Sequence, residues 1–170
     1  VKPFLKKVIA GSYDDKVRGN AIFWLGEYHS ADVIKILDRI ARGSHTKLAK
    51  KAVFSLYRVE NKAAEKSLID LAMHSGNRQV KKNAIFWLGQ KASKRSAEVL
   101  GDIAQNDKDV SMQKKAVFAL SQLPGDSGVD KLVKIAKTHQ NYKVRKSAIF
   151  WLGQSDNPKG LKTILDILEK

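Results

Sequence analysis

The feature that most limits what this chain can fold into is its likeness to itself. The string AIFWLG occurs at residues 21–26, 84–89 and 148–153, with weaker copies, AVFSL at 52–56 and AVFAL at 116–120, between them. Anchored on phenylalanine, the series runs Phe23, Phe54, Phe86, Phe118 and Phe150, at spacings of 31, 32, 32 and 32 residues. A period of this length marks a repeat architecture: each unit is too small to bury its own apolar face and completes its core against its neighbours.

Other columns keep the same register. Six residues before each Phe stand Val17, Leu48, Val80, Met112 and Val144; two before stand Ala21, Ala52, Ala84, Ala116 and Ala148; two after stand Leu25, Leu56, Leu88, Leu120 and Leu152. Spacing of i, i+4 and i+8 puts these residues on one helical face, where the small Ala admits a close neighbour. A second amphipathic helix fills the rest of each repeat, as in Val33, Ile36, Leu37, Ile40 or Leu132, Val133, Ile135, Ala136. Turn signals, clearest at 123–126 (LPGD) and 155–158 (SDNP), separate the helices. The expected fold is all-α: a right-handed α-solenoid, or α-α superhelix, of about five helix pairs with partial units at both ends.

These residues carry a resemblance. Val-Arg followed by Ala and Leu-Gly, as in VRKSAIFWLGQS, and strings such as KKAVFALSQLP resemble the short bacterial HEAT repeats also found in phycobilisome-lyase-related proteins. The resemblance covers essentially the whole chain. It implies a HEAT-like array over residues 1–170, with the phenylalanine-bearing helices lining a concave surface. It speaks for fold more than activity, because such arrays mostly present surfaces to partners.

A longer period overlies the first. Trp24, Trp87 and Trp151 recur at 63 and 64 residues, with Ser55 and Ala119 in the same column of the intervening repeats. A duplicated pair of repeats accounts for this, and the tryptophans are expected to fill the junctions between repeats. The basic column Arg18, Lys81, Arg145 is expected to bond turn carbonyls or aspartates of the neighbouring repeat. The chain opens at Val1 without methionine, which points to a fragment or processed product of a longer protein. Apolar faces at both ends (Phe4, Leu5, Ile9 and Ile164, Leu165, Leu168) raise end-to-end self-association as an expectation.

On a helical wheel with the Ala column at zero, the Val and Leu columns lie within about 40° and the Phe column near 200°, away from the core. Lys50, Lys82, Lys114 and Lys146 fall beside the Phe on one flank, and Arg58, Gln90, Gln122 and Gln154 on the other. Charge follows the same division. The chain carries 32 Lys and Arg against 17 Asp and Glu, a net +15. Taken as residues 16–26, 46–59, 78–90, 110–123 and 142–154, the phenylalanine helices hold 14 of the basic residues and no acid. Fully exposed, the five Phe would make a ladder with rungs roughly 10 Å apart. The other arrangement lays the rings flat between helices with lysine stems alongside.

Catalytic signatures are missing. There is no cysteine, phosphate loop or nucleophile elbow, and His29, His45, His74 and His139 sit near turns at no metal-ligand spacing, so all four are expected as solvated. A hydrolytic site would want a carboxylate in the groove, and those spans hold none. No apolar run approaches the ~20 residues of a membrane span. The expectation is therefore a non-enzymatic scaffold without cofactor or metal. Its partner would be a protein or peptide, acidic with apolar anchors, bound through Phe23, Phe54, Phe86, Phe118, Phe150, Lys50, Lys51, Lys82, Lys114, Lys115, Lys146, Arg58, Gln90 and Gln122. Nucleic acid, with lysines on phosphates and phenylalanines on bases, is the alternative partner.

Overall fold

A computed structural model describes residues 1–169 and places eleven helices among them. They are α1 (Lys2–Ala10), α2 (Asp15–Gly26), α3 (Ala31–Ala41), α4 (Thr46–Arg58), α5 (Lys62–His74), α6 (Arg78–Lys91), α7 (Lys94–Asn106), α8 (Val110–Ser121), α9 (Asp126–Thr138), α10 (Tyr142–Gly153) and α11 (Pro158–Leu168). The fold is the all-α solenoid that the periodicity predicts. Each of the five phenylalanines in the 32-residue series stands on an even-numbered helix. α2 packs on α1, α4 on α3, α8 on α7 and α10 on α9, while α4 also rests on α2 and α10 on α8. α1 thus completes the first pair, and the leftover helix, α11, lies at one end only, against α9 and α10. The chain forms two compact units, Val1–Trp87 and Leu88–Lys170, whose boundary falls within α6.

The core is the columns read from the sequence. Ala21, Ala52, Ala84, Ala116 and Ala148, with all five paired leucines from Leu25 to Leu152, are buried. Each buried leucine contributes about 1.5–3 kcal/mol of apolar transfer. Val17 departs from its column at 40% exposed.

A column nine residues before each Phe sets where these helices start: Asp14, His45, Asn77, Asp109 and Asn141. Four accept a backbone N–H from the first turn, as Asp14 does from Val17 and Asn141 from Lys143. Such caps satisfy amides the helix leaves unpaired. His45 caps nothing and instead meets Asp15, Nε2 to Oδ1 at 2.9 Å.

The glycine of Leu-Gly and the small residue in the Trp column explain each other. A Cβ on Gly26 would lie 3.0 Å from Ser55 Cβ, and one on Gly89 2.9 Å from the Ala119 carbonyl oxygen. The helices touch backbone to backbone at these points, so neither partner has room for a ring. Gly153, on the last phenylalanine-bearing helix, would meet only the tip of Ile164, at 3.5 Å.

Candidate partner-binding clefts

Where the glycine contact is absent, an indole takes its place. Trp87 reaches Phe54 of the preceding repeat with ring centroids 4.9 Å apart and planes at 50°. Trp151 meets Phe118 in the same way, at 4.9 Å and 56°. Three and four residues before each of these phenylalanines stands a lysine pair, Lys50–Lys51 or Lys114–Lys115, all four exposed. Three and four residues back is nearly one helical turn, so the ammonium groups rise beside the ring of their own helix. Lys115 Nζ lies 5.8 Å from the Phe118 ring centre. Asn83 and Ser147 complete the wall from the tryptophan's own helix.

The result is one cleft in each unit. The first, about 590 Å³, is lined by Lys50, Lys51, Phe54, Asn83 and Trp87, and by Asp15, Lys16, Asn20 and Lys47. The second, about 640 Å³, has Lys114, Lys115, Phe118, Ser147 and Trp151, with Val110, Ser111 and Lys143. Each falls within the size range of ligand pockets.

Many of the acids are paired away from these lysines. Asp32 receives Lys2 and Lys6, Arg42 joins Asp38 to Asp70, Lys137 meets Asp166, and Lys159 bridges Asp126 and Asp130. Hydrogen bonds from Lys2, Ser30 and Lys6 hold the Asp32 carboxyl well below the usual carboxylate range, and Lys159 with Asn157 lowers that of Asp126. Among the described residues no carboxylate pairs with Lys16, Lys50, Lys51, Lys114, Lys115 or Lys143.

Of the residues expected to bind, the clefts gather Phe54, Lys50 and Lys51 in one unit and Phe118, Lys114 and Lys115 in the other. Phe23, Phe86, Phe150, Lys82, Lys146, Gln90 and Gln122 line neither cleft. Nor does Arg58, whose guanidinium bonds Glu27 at 2.7 Å and lies 4.6 Å from the Phe23 ring centre. The open ladder gives way to partly packed rings. Phe23, Phe54, Phe86 and Phe118 are half-buried, and Phe23 stacks on Phe54 at 6.3 Å because the side chains lean toward each other across the helix spacing. Phe150 alone of the five is largely exposed, at 55%.

Four other expectations change. Asp15 opens α2 and lines the first cleft, so the phenylalanine helices are not free of acid; the helix starts one residue before the span 16–26, and its cap is Asp14. Its carboxylate is occupied by His45 and, at 3.6 Å, by Lys47. His139 is buried rather than solvated, its Nδ1 accepting the Asn141 N–H. Trp24 is 59% exposed rather than packed into a junction. The basic column bonds backbone carbonyls at two positions, but those just before its own helix rather than those of the neighbouring repeat: Arg18 donates to the Ile9 carbonyl, and Arg145 to those of His139 and Gln140. Trp87 and Trp151 do fill the junctions with the preceding repeat, as expected, and each also forms a cleft wall. Their place one residue beyond Phe, turned toward the preceding repeat, was the available signal.

Residues 65–138 match the family model for HEAT repeats. Among solved structures, the complex of CpcE and CpcF of phycocyanin lyase from Nostoc sp. PCC7120 is similar over 90% of this chain and 99% of the other, at 20% identity and TM-score 0.62. Human deoxyhypusine hydroxylase is similar over 89% and 72%, at 15% identity and TM-score 0.50. These likenesses establish the resemblance to HEAT-like repeats and the solenoid fold. No curated protein matches the chain, and no helix of the described residues is long and apolar enough to cross a membrane.

Proposed function

We propose that this HEAT-type array is a non-catalytic scaffold that holds a protein or peptide partner, acidic with apolar anchors, on its phenylalanine-bearing helices. The observation that carries the reading is the twofold occurrence of one constellation: a Phe–Trp pair beside lysines without carboxylate partners. Ring area supplies contact energy, and unpaired ammonium groups steer an acidic partner and fix its register. The neighbouring CpcE and CpcF are themselves described as a complex of two chains. That phycocyanin lyase complex and the human hydroxylase are enzymes by name, but their kinship with this chain is one of fold, and fold does not carry chemistry. Asp15, the one carboxylate in the clefts, is engaged by His45 and Lys47 rather than presented to a substrate.

Nucleic-acid binding is the second reading, supported by the same lysines. Against it, the rings of Phe23, Phe54, Tyr57 and Trp87 lie on one another rather than offering open faces to bases. The test is a titration with a labelled acidic peptide bearing phenylalanines and, separately, with a single-stranded oligonucleotide, across a salt series from ~50 mM. Peptide binding without oligonucleotide binding is expected. Oligonucleotide binding alone, weakening steeply with salt, would transfer the assignment to nucleic acid.

A further inference from the structure

Resting on the scaffold reading, we infer that the chain is a two-site receptor: each cleft separately takes one short peptide segment in which an aromatic side chain is flanked by carboxylates. The argument starts from equivalence. Lys50, Lys51, Phe54, Asn83 and Trp87 recur 64 residues later as Lys114, Lys115, Phe118, Ser147 and Trp151, and the Phe–Trp geometry repeats to within 6° of interplanar angle. Whatever fits one cleft meets the same rings and the same lysine pair in the other.

Charge sets the flanks of the ligand. The first cleft has four lysines against one aspartate, the second three lysines and no acid, so both carry formal +3. Acidic residues on either side of an anchor complement this rim, and an aromatic anchor complements the Phe–Trp wall. The first cleft adds a more specific demand. Trp87 Nε1 and Asn83 Oδ1 both belong to its lining, are buried, and make no hydrogen bond. One is a donor and the other an acceptor, and a buried polar group left unmatched is unfavourable. A peptide group carries both matching partners, a carbonyl acceptor and an N–H donor. A phosphodiester offers acceptors only. On this count the first cleft suits a peptide group better than a phosphate backbone.

Trp24 lines neither cleft, so a Trp24→Phe chain leaves Trp87 and Trp151 as built-in reporters. The probe is a nine-residue peptide with blocked ends, one central phenylalanine, and aspartates and glutamates on both sides. It is titrated at ~50 mM salt by calorimetry and by tryptophan fluorescence. Two peptides per chain are expected, with both indoles responding. Lys50→Glu with Lys51→Glu should leave one peptide per chain, as should Lys114→Glu with Lys115→Glu; the fourfold variant should bind none. Each double change should weaken its own site by at least about tenfold. All four lysines are exposed, so the variants should keep their thermal unfolding curves, which serves as the check on folding. One peptide per chain, or two whose binding ignores both lysine pairs, overturns the two-site inference while leaving the scaffold reading intact. Equal affinity for a peptide with serine in place of phenylalanine overturns it too, since charge alone would then be read. No binding of the peptide, with oligonucleotide binding retained, overturns the scaffold reading itself.

Discussion

The two clefts share a plan and differ in how tightly it is closed. In the first unit Trp87 is held on three sides: by Phe54, by Phe86 at 4.9 Å, and by Tyr57, which stacks on it at 4.6 Å with planes at 26°. In the second, Trp151 has Phe118 and Phe150, but the residue in the place of Tyr57 is Ser121, whose hydroxyl turns back to the Phe118 carbonyl. The first cleft also carries the buried, unmatched Trp87 and Asn83 groups; the second carries two hydroxyls, Ser111 and Ser147. Duplication thus preserved the lysines and the Phe–Trp pair while the surroundings diverged.

The largest effect expected to expose this difference is on stability. Trp87→Ala should cost about 3 kcal/mol, at the lower end for a packed tryptophan. Trp151→Ala should cost roughly 0.5–1.5 kcal/mol less, the worth of the missing ring contact. Trp24→Ala, at an exposed ring, should stay within about 0.5 kcal/mol. Urea unfolding followed by far-UV circular dichroism gives the order, and a Trp151 cost equal to that of Trp87 would remove the asymmetry.

The next effect concerns the glycine contacts that alternate with the indoles. Gly89→Ala forces a methyl against the Ala119 backbone and should destabilise by about 1–3 kcal/mol. Gly153→Ala meets only a flexible isoleucine tip, and should be neutral or stabilising by about 0.5–1 kcal/mol because alanine is the better helix former. The same Leu-Gly motif should therefore give opposite signs in thermal unfolding. Matching losses at both positions would mean that close approach is not what selects the glycine.

This alternation marks the limit of what the sequence disclosed. The repeat length, the buried Ala and Leu columns and the helix pairing were legible, because a 32-residue period and a 3.6-residue period fix them together. The cap column Asp14, Asn77, Asp109, Asn141 was equally periodic and went unread. The clefts were only half legible: a wheel places Phe54 and Lys50 correctly on one helix, but whether a ring faces solvent depends on the next helix, and Trp87 supplies that covering from 33 residues away. Asp15 was lost to a boundary set one residue late, and His139 to the assumption that turn residues are wet.

The smallest effect tests whether the clefts owe their equal charge to different causes. In its column Asp15 is the single acid, the later repeats having Thr46, Arg78, Val110 and Tyr142. Its carboxylate binds His45 and Lys47, and so withholds one lysine of the first cleft from an acidic ligand. Asp15→Asn should release Lys47 and strengthen binding of the acidic peptide at the first cleft alone. The pair is more than a third exposed, so the gain should match a screened surface interaction of about 0.2–1 kcal/mol, at most roughly fivefold in affinity. The added unpaired cation should also steepen the salt dependence at that site, while the second cleft keeps both its affinity and its slope. Calorimetry on the chain with Lys114→Glu and Lys115→Glu isolates the first cleft for this measurement. If Asp15→Asn weakens binding there instead, the carboxylate is positioning Lys47 for the ligand, and the first cleft is the more organised of the two rather than the more restrained.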